Sequence, residues 1–205
     1  MTKLKLILMA GLVLLWGASA AMADPLHVSL NTSVLSGGTY TLGLELIDGD
    51  GVANNTAVVS DFGFNGGSAV GGASYIGDAM GDLSTSVSLD DVGGGSIFAQ
   101  DFTAGTTLTF SVTLTDNLAA GAVTPDAFSF LICDTTRCYS DDASGALAMV
   151  NLDGAGSVLA SDFITFGDSQ SGLPAPSVTP EPSSLTLLGG GLLGLVATLR
   201  RRQGQ

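Results

Sequence analysis

Two cysteines, a scatter of acidic and amide residues and one histidine are the side chains in this 205-residue chain that could do chemistry. Cys133-Asp134-Thr135-Thr136-Arg137-Cys138 puts four residues between the thiols. A redox pair carries two, and a zinc site needs ligands that the single His27 cannot complete. The spacing suits a structural disulfide that clamps a hairpin tip in an oxidising compartment. Asp48, Asp50, Asn54 and Asn55 gather hard oxygen donors in one loop, the ligand type Ca²⁺ takes. The EF-hand pattern is not met, because Gly51-Val52 stands where a third ligand and its glycine belong. Asp90-Asp91, Asp141-Asp142 and Asp153 are further carboxylates. Two carboxylates roughly 5–10 Å apart could hydrolyse a glycoside, a spacing that sequence does not give. A Ser-His-Asp site would have to use His27, and no G-x-S-x-G elbow accompanies it.

Charge narrows the partners. The formal net charge is −13, and of 19 acidic residues all but Glu181 fall in residues 24–179, where Arg137 is the one basic residue. Such a surface repels nucleic acid and anionic lipid. Nearly all these acids are Asp, which favours turns and caps over helix interiors. The single Trp is Trp16, in the amino-terminal apolar run, so the rest of the chain lacks the usual sugar-stacking platform.

These candidates need a scaffold, and the alternation of the chain supplies strands. Leu108-Thr109-Phe110-Ser111-Val112-Thr113-Leu114-Thr115 alternates throughout. Tyr40, Leu42, Leu44 and Leu46 share one face of Thr39–Ile47. Leu83, Thr85, Val87 and Leu89 share another, as do Phe128, Phe130 and Ile132. Period two with aromatic and β-branched residues marks half-buried strands. Weaker strands are read at Leu26–Asn31, Val58–Phe64, Ser96–Phe102, Ala146–Leu152 and Val158–Phe166. Turn clusters such as Asp48-Gly49-Asp50-Gly51 separate them. About nine short strands predict an all-β, antiparallel β-sandwich of jelly-roll or immunoglobulin-like type over residues 24–166. Residues 167–178, rich in Ser, Gly and Pro, read as an extended linker.

The two ends read as targeting segments. Lys3 and Lys5, the apolar Leu6–Trp16 and the small residues of Ala21-Met22-Ala23 form a signal peptide over residues 1–23, with cleavage before Asp24. At the other end, Pro180-Glu181-Pro182 precedes an uncharged, leucine-rich stretch, read as a transmembrane helix over 184–199, and then Arg200-Arg201-Arg202. That stretch covers about 24 Å as a helix, short of the roughly 30 Å hydrocarbon core. The arginines act as a membrane stop and keep the terminus cytoplasmic, with the domain outside.

Pro180-Glu181-Pro182, the apolar span and the basic cluster together resemble the PEP-CTERM sorting signal over residues 179–205. The resemblance implies a Gram-negative bacterium that makes extracellular polysaccharide, and processing by exosortase, a membrane-embedded cysteine protease. It makes this chain a substrate of sorting. Leu46–Gly51, Asn54-Asn55-Thr56, Val59–Phe64, Gly81–Leu89 and Thr124–Phe130 also resemble a group of PEP-CTERM proteins of unknown function. The expected protein is therefore exported, non-enzymatic and without nucleic-acid partners. It is held in the inner membrane as a precursor, then passes to the cell surface or the extracellular polysaccharide matrix. The alternatives are a Ca²⁺-dependent glycan-binding module using Asp48, Asp50 and Asn54, and a secreted hydrolase.

Overall fold

Alternation becomes two facing sheets in the computed structural model, which describes residues 25–181. The strands are β1 (Leu26–Asn31), β2 (Thr39–Ile47), β3 (Thr56–Gly63), β4 (Ser68–Ile76), β5 (Met80–Gly81), β6 (Ser86–Asp90), β7 (Gly95–Thr103), β8 (Thr107–Leu114), β9 (Asp126–Cys133), β10 (Ala148–Leu152), β11 (Ile164–Thr165) and β12 (Ser177–Pro180). One sheet runs β12-β1-β8-β3-β6-β5 and the other β11-β10-β9-β2-β7-β4. Every strand pair is antiparallel. The signal peptide, Pro182, the span 184–199 and Arg200, Arg201 and Arg202 lie outside the described residues. Among the described residues no helix is long and apolar enough to cross a membrane.

The period-two faces meet in one core. Leu42, Leu44 and Leu46 of β2 and Phe128, Phe130 and Ile132 of β9 are fully buried, and so are Phe110 of β8 and Val28 of β1 from the opposite sheet. Phe110 meets Phe130 edge-to-face across the sandwich at 5.2 Å between ring centroids, a pair that contributes about 1 kcal/mol beyond the burial of the two rings. A one-residue slip in either strand would turn these rings out to water, so burial itself sets the register.

Three stretches differ from the sequence reading. Ser68–Ile76 is a full strand, β4, although Gly71-Gly72 interrupts it and most of its side chains are exposed. It is an edge strand whose register shifts between Val70 and Ser74. The buried Gln100 of β7 accepts from the Leu83 N–H and donates to the Gly71 carbonyl (3.1 Å), so the irregular backbone is partly satisfied by a side chain. Val158–Phe166 contains only the two-residue β11 after a single 3₁₀ turn. Residues 167–178, read as an extended linker, fold onto the domain. Leu173 is buried, and Ser177–Pro180 form β12 beside β1, with Val178 opposite Val28. Pro180 fits there because an edge strand asks little of its missing N–H.

Candidate functional site

The loops at one end of the sandwich converge on Asn55. Asn55 is buried just before β3 and its side chain is saturated. Its amide nitrogen donates to the Asn117 carbonyl (2.8 Å) and to Asp126 Oδ2 (2.6 Å). Its Oδ1 accepts from the Asn117 N–H (2.9 Å) and the Thr115 hydroxyl (3.2 Å). One side chain thus ties the β2–β3 loop to the β8–β9 connection.

Around this hub stand four carboxylates. Asp126, the first residue of β9, is wholly buried; its Oδ1 accepts from the Gly49 N–H (2.8 Å) and the Asp50 N–H (3.1 Å). Gly49 is required for this approach, because a Cβ there would lie 2.1 Å from the Pro125 carbonyl oxygen. Asp48 Oδ1 accepts from the Gly51 N–H at 2.6 Å, with Gly51 in the left-handed region at φ 81°. Asp50 accepts from Val52 N–H and Ala119 N–H. One oxygen from each of Asp48, Asp50 and Asp126 lies within 4.8 Å of the others. Asp91, also wholly buried, accepts from the Asn54 and Asn55 N–H groups through Oδ2.

The electrostatics separate the two buried acids. Burial pushes the Asp91 carboxyl above its ordinary value, and the adjacent Asp126 carboxylate adds to the rise against the pull of the Asn54 and Asn55 N–H groups. Burial also works to raise Asp126, but the Asn55 amide and the Gly49 and Asp50 N–H groups outweigh it and hold Asp126 below its ordinary value.

The metal-ligand residues expected from sequence were Asp48, Asp50 and Asn54. The structure gathers Asp48 and Asp50 with Asp126, a residue not anticipated as a ligand. The Asn54 amide nitrogen sits 3.4 Å from Asp50 Oδ2. Asp141, Asp142 and Asp153 lie in other turns: Asp141 accepts from Ser169, and Asp142 from Ser144. His27 is not on an edge strand, because β1 is flanked by β8 and β12.

A second acidic locus closes the opposite strand end of β9. Cys133 and Cys138 are disulfide-bonded, and the residues between them form a tight turn, with Asp134 N–H donating to the Arg137 carbonyl (2.9 Å). Arg137 reaches Asp168 with both guanidinium nitrogens, at 3.0 and 2.5 Å, and stacks 4.4 Å above the Tyr139 ring. The Arg137 hydrogen bonds hold Asp168 down at about 2. The Thr136 hydroxyl and then the Tyr139 hydroxyl hold Asp134 well below the usual carboxylate range, and the Asp134 carboxylate pushes Tyr139 up to about 12.

The carboxy-terminal edge carries the third feature. Past β12, the Glu181 N–H donates to the Pro25 carbonyl (3.1 Å), and Ser111 Oγ donates to the Glu181 carboxylate. Residues 178–202 match the PEP-CTERM protein-sorting motif. Over those residues the chain is similar to proteins that carry the PEP-CTERM sorting domain. The motif marks exported, exosortase-processed proteins of Gram-negative bacteria. Its first four residues, Val178 to Glu181, therefore lie on the sheet edge. Neither a curated protein nor a solved structure matches the chain.

Proposed function

We propose that this is a non-enzymatic surface or extracellular-matrix protein. Its tail holds the precursor in the inner membrane until an exosortase-type protease frees the domain to the cell surface or the extracellular polysaccharide. The sorting motif at residues 178–202 is the observation that carries the reading. The apolar run before Arg200, Arg201 and Arg202 supports insertion with the domain outside. The nested pairs β1·β8, β2·β7 and β3·β6 support the jelly-roll form of the sandwich. Val178–Pro180 pair with β1 and Glu181 is held by Pro25, so cleavage is expected past Glu181. Cleavage at Pro182 or later leaves β12 in place.

Intact-mass measurement of the released form tests this. A mass ending between Glu181 and the start of the apolar run is expected, with an amino terminus at Asp24. Replacing the three arginines by neutral residues should raise the share of unprocessed chain. A released form that extends through Gln205 would overturn the reading.

A further inference from the structure

Among the described residues the acidic cluster around Asn55 has no counter-charge. Asp48, Asp50, Asp91 and Asp126 are fed by the loops after β2, β6 and β8. The only basic side chains among the described residues are His27, within β1, and Arg137, which is committed to Asp168. Four carboxylates brought together without a cation repel one another, and two of them are wholly buried, where screening by water is weakest.

The hydrogen-bond accounting points the same way. Backbone N–H groups satisfy one face of each carboxylate. They leave Asp91 Oδ1 and Asn54 Oδ1 buried with no partner. An unpaired buried oxygen costs about 1–3 kcal/mol, so two of them in one place call for a ligand. Both belong with the cluster. The Asp91 carboxyl lies against that of Asp126, and the other end of the Asn54 amide is on Asp50. Nothing in the locus that lacks a partner is a donor; every unsatisfied atom is an oxygen.

We propose that Asp48, Asp50 and Asp126, with Asp91 and Asn54 beside them, form a Ca²⁺ site that pins the β2–β3 loop to the head of β9. Hard carboxylate and amide oxygens on irregular loops suit Ca²⁺, which accepts six to eight oxygens in flexible geometry. Mg²⁺ demands a stricter octahedron. An exported protein meets Ca²⁺ at concentrations that fill sites with Kd of about 10⁻⁴–10⁻³ M, so a modest site would be occupied. Its role in this reading is structural: binding fixes loops that otherwise carry repelling charges. It goes beyond the sorting function; only the expected occupancy rests on export, and the binding test does not.

The test is a Ca²⁺ titration of the full chain in detergent at pH 7, followed by calorimetry and thermal melting, with Mg²⁺ at the same ionic strength as control. One Ca²⁺ per chain and a melting temperature several degrees higher in Ca²⁺ than in Mg²⁺ are expected. Asp126→Asn could lose the fold along with the site, so the deciding variant is Asp48→Asn with Asp50→Asn, whose side chains are only partly buried. It should stay folded, bind Ca²⁺ at least tenfold more weakly and lose the Ca²⁺-specific rise. No saturable binding to the folded chain at 10 mM Ca²⁺ would overturn the site. So would a rise that is equal in Mg²⁺ or unchanged in the double variant.

Discussion

The two ends of β9 each hold a buried aspartate, and they solve the problem of its charge in different ways. At Cys133 the strand runs into a turn closed by a disulfide, and Asp168 is met by both arms of Arg137. At Asp126 the strand begins among three further carboxylates, and only neutral donors answer them. The first locus is self-contained: an ion pair of good geometry whose remaining oxygen positions take Ser171 N–H. The second is incomplete, with two buried oxygens lacking a partner. A charge that must be buried is stabilised by a fixed cation or by many oriented dipoles, and dipoles alone leave residual demand. The comparison teaches that acidity by itself is uninformative in this chain. What separates structure from a binding site is whether each carboxylate is already answered.

The comparison breaks most sharply at Asn55. Asn55→Ala removes the partner of Asn117 N–H, the Asn117 carbonyl, the Thr115 hydroxyl and Asp126 Oδ2 at once. Denaturant unfolding should show a loss of about 3 kcal/mol, the cost of leaving several buried polar groups unpaired. A loss under about 1 kcal/mol would mean that the cluster is held by something other than this hub. At the other end, Cys133→Ser with Cys138→Ser opens only a short loop. The expected loss is about 2 kcal/mol from restored chain entropy. Asp168 should keep Arg137 in place, so near-ultraviolet dichroism of Tyr139 should survive the change. Its disappearance would show that the disulfide, and not the ion pair, organises that end.

Legibility followed burial. Strands β2, β8 and β9 were readable because one face of each is packed in the core, and a buried face enforces alternation: Leu42, Leu44 and Leu46 have no freedom to be polar. β4 was unreadable because almost nothing on it is buried, so Ser68–Ile76 needs no pattern and tolerates Gly71-Gly72. β12 was hidden for a different reason. Pro and Ser give Ser177–Pro180 an extended backbone whether or not a partner exists, and the partner, β1, lies 148 residues away at Ser29. The cysteine pair was legible because its bond is local. The acidic cluster was half legible. Asp48, Asp50 and Asn54 share one loop, whereas Asp91 reaches Asn54 across 37 positions and Asp126 reaches Gly49 across 77. A lone Asp just ahead of Phe128 and Phe130 was the one available signal. It reads equally well as the polar start of a strand.

The smallest effects, and the most diagnostic, should come from pH, because Asp168 and Asp91 titrate with opposite sign. Asp168 is held at about 2 against an ordinary value of 3.8, so its contribution is fully present above the ordinary value and is lost as pH falls toward 2. Asp91 is raised, so its contribution is present below 3.8 and is lost as pH climbs through its higher folded value. In EDTA, unfolding free energy against pH should therefore fall on both sides of a maximum near the ordinary carboxylate value of 3.8. Arg137→Met should remove Asp168's share of the acid limb, leaving the slopes due to Asp134, whose hydroxyl donors Thr136 and Tyr139 remain, and to Asp126, which the Asn55 amide and the Gly49 and Asp50 N–H groups hold down. Asp91→Asn should flatten the other limb and leave Asp168's share of the acid limb alone, since an amide stays neutral where the acid must ionise. The limbs should respond independently, because the two groups sit at opposite ends of one strand and share no partner. If Asp91→Asn altered the acid limb as much as Arg137→Met does, the two loci would be one coupled network, and the contrast drawn between them would be wrong.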